Sequence, residues 1–146
     1  MKITNDYRKL ALAFQKDAEA TRDMVKANIE RACIMVKEEA KDTHKFMDRG
    51  GETHKSIVYK TEGDTKGTVY LASKVAVFMH EGTRPHIIRP RIKKALRWMV
   101  GKDNEAFAKV VHHPGTKADP FLYNAADTCE PAIVKRFAED LEKAVK

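Results

Sequence analysis

The stretch that decides the fold is His113-Pro114-Gly115-Thr116-Lys117-Ala118-Asp119-Pro120-Phe121, nine residues over which the sequence predicts a change from strand to helix. Its Pro114-Gly115 pair predicts a tight turn directly after a strand, because glycine readily supplies a positive φ angle. Asp119 followed by Pro120 predicts a helix start, with the acid as N-cap and proline in the first helical position. We expect Thr116 to help satisfy backbone donors at the turn, and Phe121 to pack the first helical turn against the strands. The stretch therefore predicts a strand–turn–helix corner.

The chain after this corner has the spacing of a helix. Apolar residues recur at helical intervals over residues 119–146. Pro131 falls inside this run and predicts a kink or a restart near Thr128, because proline removes one backbone hydrogen bond.

The first third of the chain predicts one long helix over residues 1–48. Apolar and small residues recur in steps of three and four from Tyr7 to Ala40, and Thr4 or Asn5 can cap the start. About 40 residues at a rise of ~1.5 Å make a rod of about 60 Å. That exceeds what a compact domain of this size needs, so part of the rod is expected to bend back or to pack on another subunit.

The middle of the chain, residues 52–112, has the composition of strands. Strands are predicted over 56–60 and 68–72 around a polar turn, over 86–90, and over 95–100 and 106–112 around a connection at 101–104. The apolar run 74–81 is too short for its spacing to distinguish helix from strand. The sequence therefore predicts an α+β fold in a single domain, 1–146. Its parts are a long N-terminal helix, a small mainly antiparallel sheet and a C-terminal helix packed on that sheet.

Composition narrows the class of protein. The 28 Lys and Arg against 21 Asp and Glu give a net charge of +7, which favours a polyanionic neighbour such as nucleic acid or an acidic protein surface. Two distant cysteines, Cys33 and Cys129, are expected to be buried, reduced thiols. The sequence shows neither a secretion signal nor a membrane-spanning run, so we expect the protein to stay in the cytoplasm unless an assembly carries it out.

No pattern of residues predicts an enzyme or a cofactor. The chain has no glycine-rich phosphate loop, no His-Glu-x-x-His and no Gly-x-Ser-x-Gly. One alternative is a metal-dependent hydrolase built on His80, Glu81, His86 and His113, although surface or interface histidines are the favoured interpretation. A second alternative is a nucleic-acid-binding protein that uses the basic stretch 84–97 with its Trp98 neighbour.

Two segments together resemble a known family. Residues 77–90 contain Glu81-Gly82-Thr83 followed by a segment rich in proline and histidine, and residues 107–122 contain the corner stretch followed by Leu122. This combination resembles the small tail-completion or neck proteins of long-tailed, non-contractile bacteriophages and their prophages. In that family a His-Pro-Gly-Thr-x-Ala-x-Pro-Phe-Leu signature leads into the C-terminal helix. This chain has Met79-His80 where the family more often carries an aromatic or apolar pair.

The resemblance implies a structural, non-enzymatic virion protein at the neck or tail, assembled in the cytoplasm of the bacterial host. Such proteins form homo-oligomeric rings, with sixfold symmetry implied, between the connector or head-completion protein and the tail terminator or tail tube. DNA is then only a passing occupant of the ring, and no membrane is involved.

Two sets of residues are assigned roles at this point. The predicted partner-binding loop comprises Glu81, Gly82, Thr83, Arg84, His86, Arg89 and Arg91. The corner motif, which we expect to shape the fold rather than to bind, comprises His113, Pro114, Gly115, Thr116, Asp119, Pro120 and Phe121.

Overall fold

The computed structural model describes residues 7–46, 48, 50–100 and 104–144, and the α+β fold is confirmed. The elements are α1 (Tyr7–Asp42), α2 (Glu52–Ser56), β1 (Ile57–Glu62), β2 (Lys66–Leu71), α3 (Lys74–Glu81), β3 (His86–Ile88), β4 (Leu96–Val100), β5 (Asn104–Ala108), β6 (Val111–His113) and α4 (Phe121–Ala144). The strands form three separate antiparallel pairs, β1–β2, β3–β6 and β4–β5, where the sequence predicted one small sheet. Of the helices in the described ranges, none combines the length and apolar character of a membrane span.

The long N-terminal helix is present, but α1 ends at Asp42 and does not reach residue 48 as predicted. Both the backbone N–H and the hydroxyl of Thr43 donate to the Glu39 carbonyl, at 3.0 and 2.8 Å. The N–H of Lys45 then leaves the helical pattern and donates to the Asp119 carboxylate at 2.6 Å. Asp119 thus holds the chain three residues beyond the end of the helix. The predicted cap at Thr4 or Asn5 lies outside the described residues.

The first predicted hairpin is confirmed, with a shorter loop. β1 and β2 pair from Ile57↔Leu71 to Glu62↔Lys66, which leaves residues 63–65 as the turn. Ser56, predicted as the first strand residue, instead ends the short helix α2, which the sequence did not predict. The hairpin lies on α1 so closely that a Cβ atom at Gly67 would come within 2.8 Å of the Ile29 side chain.

The rest of the middle segment resolves one ambiguous prediction and contradicts another. The run 74–81 forms the helix α3, whose first turn is capped by the Ser73 hydroxyl, which accepts from the Val75 N–H at 3.2 Å. The single strand predicted over 106–112 is wrong, because the chain changes partner within it. β5 pairs with β4 and ends at Ala108, and β6 pairs with β3 from Val111 onwards. Of the predicted connection at 101–104, only Asn104 is described, and it pairs with Val100 as part of β5.

The C-terminal helix begins one residue later than predicted. The Pro120 carbonyl accepts the first helical bond, from the Asn124 N–H at 2.9 Å, and α4 starts at Phe121. The interpretation of Asp119 as helix cap is therefore corrected, since its carboxylate accepts from Lys45 in the loop after α1. Pro131 lies inside one continuous helix, so the predicted restart near Thr128 does not occur.

The main packing contact joins α1 and α4, which run antiparallel: Ala40 meets Ala125 near one end, and Asn28 bonds to Asp140 near the other. The buried core gathers where the first turn of α4, the end of α1 and the start of β1 meet, and Phe121 at its centre has 0% exposure. Partly buried side chains surround it: Val36, Phe46, Val69, Leu71 and Leu122. The predicted burial of Phe121 is thus confirmed, and Leu122 is partly buried, but α4 packs mainly on α1 and not on the strands as predicted.

Candidate protein-interaction surface

Two Gly-Thr dipeptides from distant parts of the sequence pair with each other. The Thr83 N–H donates to the Thr116 carbonyl at 2.9 Å, and the Thr116 N–H donates to the Thr83 carbonyl at 3.1 Å and to the Thr83 hydroxyl at 2.9 Å. β3 and β6 continue this pairing, with His86 opposite His113. We define the Gly-Thr corner as Gly82, Thr83, Gly115 and Thr116. It joins the two segments that together carry the family resemblance.

Both glycines of the corner are required by the opposite backbone. Gly82 and Gly115 have φ angles of +77° and +91°, which L side chains rarely adopt. A Cβ at Gly82 would lie 2.7 Å from the Thr116 carbonyl oxygen, and a Cβ at Gly115 would collide with the Thr83 carbonyl oxygen. The positive φ of Gly115 was predicted, but the predicted tight turn at Pro114-Gly115 is not found, because Thr116 pairs with Thr83 in the same register as His113 with His86. The pairing itself was not predicted. The repetition of Gly-Thr-basic at 82–84 and 115–117 is the sequence signal that could have indicated it.

The histidines near the corner are engaged within the fold. The His86 Nδ1–H donates to the Arg84 carbonyl at 2.9 Å, and His113 Nδ1 accepts from the Gly115 N–H at 3.1 Å. His80 is buried, with its ring against the edges of Phe121 and Tyr123. The structure thus brings His86 and His113 together and places His80 in the aromatic packing of α4. Across the described ranges, no three His, Cys, Asp or Glu side chains converge to hold a metal ion.

One further pair of histidines was missed in the sequence. The Nε2 atoms of His44 and His54 lie 2.5 Å apart, so one ring donates and the other accepts. Asp48 accepts the His54 backbone N–H at 3.0 Å, and this bond is the main reason that the pKa of the Asp48 carboxyl is lowered. These contacts fasten α2 to the loop after α1, and they leave the corner untouched.

The predicted partner-binding loop divides into two parts. Gly82 and Thr83 are half-buried in the corner and hold the chain in place. Glu81, at the end of α3, is exposed, as are Arg84, His86, Arg89 and Arg91. The charged members of the prediction are therefore available to a partner.

Beyond this loop, β4 and β5 form a projecting hairpin that we name the hairpin arm. Its pairing runs from Leu96↔Ala108 to Val100↔Asn104, and directly paired or alternate residues share a face. One face is therefore mainly apolar, with Leu96, Trp98, Val100, Ala106 and Ala108, and it has one polar residue, Asn104, opposite Val100. On this face the relative solvent exposure is 42% for Trp98 and 52% for Val100. Among the described residues, no helix and no other strand packs substantially on the arm.

Comparison with known protein families, with curated proteins and with solved structures finds no match to this chain.

A second apolar surface lies where the two long helices meet the β1–β2 hairpin. It is a groove of about 350 Å³ between α1, β2 and α4, and it is lined almost wholly by apolar side chains. We name it the helix groove; its lining residues are Ala32, Cys33, Val36, Gly67, Val69, Leu122, Tyr123, Ala126 and Ile133. The groove was not predicted, because it is assembled from residues that lie far apart in the sequence. The apolar face of the arm was not predicted, because the strand predicted over 106–112 did not give the bounds and register of β5.

The two cysteines are buried, free thiols, as predicted. Burial raises the pKa of the Cys33 thiol, and the Glu30 carboxylate raises it further. Burial likewise raises the pKa of the Cys129 thiol, with a second contribution from Glu39. Both thiols are therefore protonated and weakly nucleophilic near neutral pH.

Proposed function

We propose that this protein is a structural subunit of a bacteriophage neck, a head–tail joining or tail-completion protein that acts as a member of a ring. The observation that carries the proposal is the Gly-Thr corner. The two sequence segments that resemble the family lie 33 residues apart at Thr83 and Thr116, yet they form one hydrogen-bonded unit. A chance resemblance of two separate segments gives no reason for them to meet.

The mechanism that we propose is positional. The corner holds the start of the loop rigidly, so that Arg84, Arg89 and Arg91 are presented on an exposed basic rim. A single exposed ion pair contributes only about 0–1 kcal/mol. A closed ring repeats such contacts around its symmetry axis, so their sum becomes useful for joining head to tail. The net charge of +7 suits acidic neighbours and the passage of DNA through the ring.

The test is complementation of a phage whose copy of this gene is deleted. The double charge reversal Arg89→Glu with Arg91→Glu is expected to leave separate heads and tails in electron micrographs and to reduce infectious particles. The matched control is Lys26→Glu with Lys135→Glu, which changes the net charge equally at two exposed helix positions away from the rim. Normal joining by the rim variant would refute the role of the rim. Normal joining without any copy of the gene would refute the proposed function itself.

A second candidate function is nucleic-acid binding through residues 84–97. The observation in its favour is the exposed Trp98 ring beside a stretch with six Lys or Arg and no acid. Binding to duplex DNA through several phosphates falls steeply with salt. Absence of binding at low salt would eliminate this candidate.

A further inference from the structure

The described residues of one chain leave the mainly apolar face of the hairpin arm uncovered. A two-stranded hairpin alone is marginally stable in water, and stable hairpins cover one face with other elements. In this arm the covering element is absent among the described residues, while Trp98 and Val100 remain about half exposed. An exposed tryptophan within a contiguous apolar face is typical of a binding surface, since tryptophan is enriched among residues that dominate interfaces.

The helix groove has the size and the chemistry to receive such a side chain. An apolar cavity of about 150 Å³ already holds a benzene molecule. The groove, at about 350 Å³, has room for an indole ring, and its lining is almost free of polar atoms. Ala126 and Ile133 of α4 form one wall, and Ala32 and Val36 of α1 form the other.

The α4 wall of the groove and the stretch that leads into the arm are opposite in charge. The stretch 84–97 that leads into the arm has six Lys or Arg and no Asp or Glu. Between Phe121 and Val134, α4 has Asp127 and Glu130 and no Lys or Arg. Glu130 follows Ala126 by four residues and precedes Ile133 by three, so it lies on the groove side of the helix.

We propose that the hairpin arm of one copy covers the helix groove of a second copy, with Trp98 seated between α1 and α4 of that copy. The inference rests on the proposed function, because it names the contact between neighbouring subunits of the ring. Arm and groove are different surfaces, so the contact is head-to-tail, and head-to-tail contacts close into a ring when the rotation between copies permits.

Cross-linking between two variants of the full chain tests this contact. Both preparations carry Cys33→Ala and Cys129→Ala, because Cys33 is a free thiol in the same groove as Ala126. One then carries Trp98→Cys, the other carries Ala126→Cys and a longer tag, and the mixture is treated with a short bismaleimide. A mixed dimer linked through positions 98 and 126 is expected. The control replaces Trp98→Cys by Met99→Cys, which lies on the opposite face of the same strand and is 49% exposed. Equal yields from both cysteines, or no mixed dimer, would overturn the proposal.

Sedimentation gives a second, independent measurement. Trp98→Glu is expected to weaken self-association at least about tenfold, whereas Met99→Glu changes it by less than about threefold. Both variants keep the far-ultraviolet circular dichroism of the parent, because the arm contributes nothing to the buried core. Unchanged association of Trp98→Glu would refute the contact. A chain that carries both Trp98→Cys and Ala126→Cys gives a further test. If it cross-links only within itself, the groove is covered by the arm of the same chain, and the contact between copies is refuted.

Two further outcomes distinguish the contact between copies from DNA binding by the arm and from the neck function. If Trp98→Glu abolishes salt-dependent DNA binding and leaves self-association intact, the arm face belongs to nucleic acid and the inference fails. The complementation assay addresses the neck function independently. Failure of cross-linking together with loss of head–tail joining on gene deletion would reject the contact and retain the proposed function.

Discussion

Replacing Gly115 by alanine tests whether the Gly-Thr corner is as tightly constructed as its geometry indicates. At a φ of +91° an L residue is strained by about 1–2 kcal/mol. The new methyl group collides with the Thr83 carbonyl oxygen and lies 3.0 Å from the Arg84 carbonyl carbon. Both neighbours are backbone atoms, which cannot rotate away as a flexible side chain can. The corner must therefore open.

Opening the corner breaks the reciprocal bonds between Thr83 and Thr116, each contributing about 1 kcal/mol. Strain and lost bonds together predict a loss of about 3–4 kcal/mol in the free energy of unfolding. Gly63→Ala is the matched control. Gly63 also has a positive φ, +63°, but a Cβ there meets nothing within 4 Å, so only the strain of about 1–2 kcal/mol is expected.

Urea denaturation followed by circular dichroism measures both variants against the parent. With a slope of about 2 kcal/mol per molar urea, Gly115→Ala is expected to unfold at a midpoint about 1 M below that of Gly63→Ala. Hydrogen exchange at the Thr83 and Thr116 amides should accelerate in Gly115→Ala alone. Coincident midpoints for the two variants would show that the opposite backbone does not confine Gly115.

Three other outcomes follow from the structure. Asp119→Ala removes the carboxylate that accepts the Lys45 N–H, and it is expected to lower the free energy of unfolding by about 1.5–3 kcal/mol in urea denaturation. A decrease below about 0.5 kcal/mol would show that this hydrogen bond does not hold the loop after α1. Asn28 and Lys143 lower the pKa of the Asp140 carboxyl, so its stabilising contribution exists above the unfolded pKa and is lost as pH falls. The melting temperature should therefore fall between about pH 5 and pH 2, and Asp140→Asn should fall less. Cys129 should react with a thiol reagent only at the rate of unfolding, and fast modification of Cys129 in the native chain would contradict its burial.

Local chemistry in the sequence predicted the regular elements well. Long runs of helical spacing predicted the two long helices, and β-branched residues on both sides of a polar glycine turn predicted β1 and β2. The positive φ of Gly115 and the burial of Phe121 followed from the preferences of these residues alone, whereas the tight turn predicted at Pro114-Gly115 does not form.

The errors arise where a distant residue decides the outcome. The predicted helix over 1–48 ends instead at Asp42, and the chain beyond it is held by Asp119, far along the sequence, which accepts the Lys45 N–H. The predicted strand over 106–112 breaks because its two halves pair with different partners. The pairing of Gly82-Thr83 with Gly115-Thr116 is equally non-local, and spacing along one segment carries no information about it.

The position of the hairpin arm within the topology has a consequence for how the protein can diversify. β3 and β6 pair on either side of it, so residues 89–110 form an excursion that leaves and re-enters the fold at a single pair of strands. Changes of length or sequence in such an excursion leave the closing strands and the core in place. We therefore expect the arm to tolerate changes of length and sequence, whereas the Gly-Thr corner and the β3–β6 pair at its base must be kept.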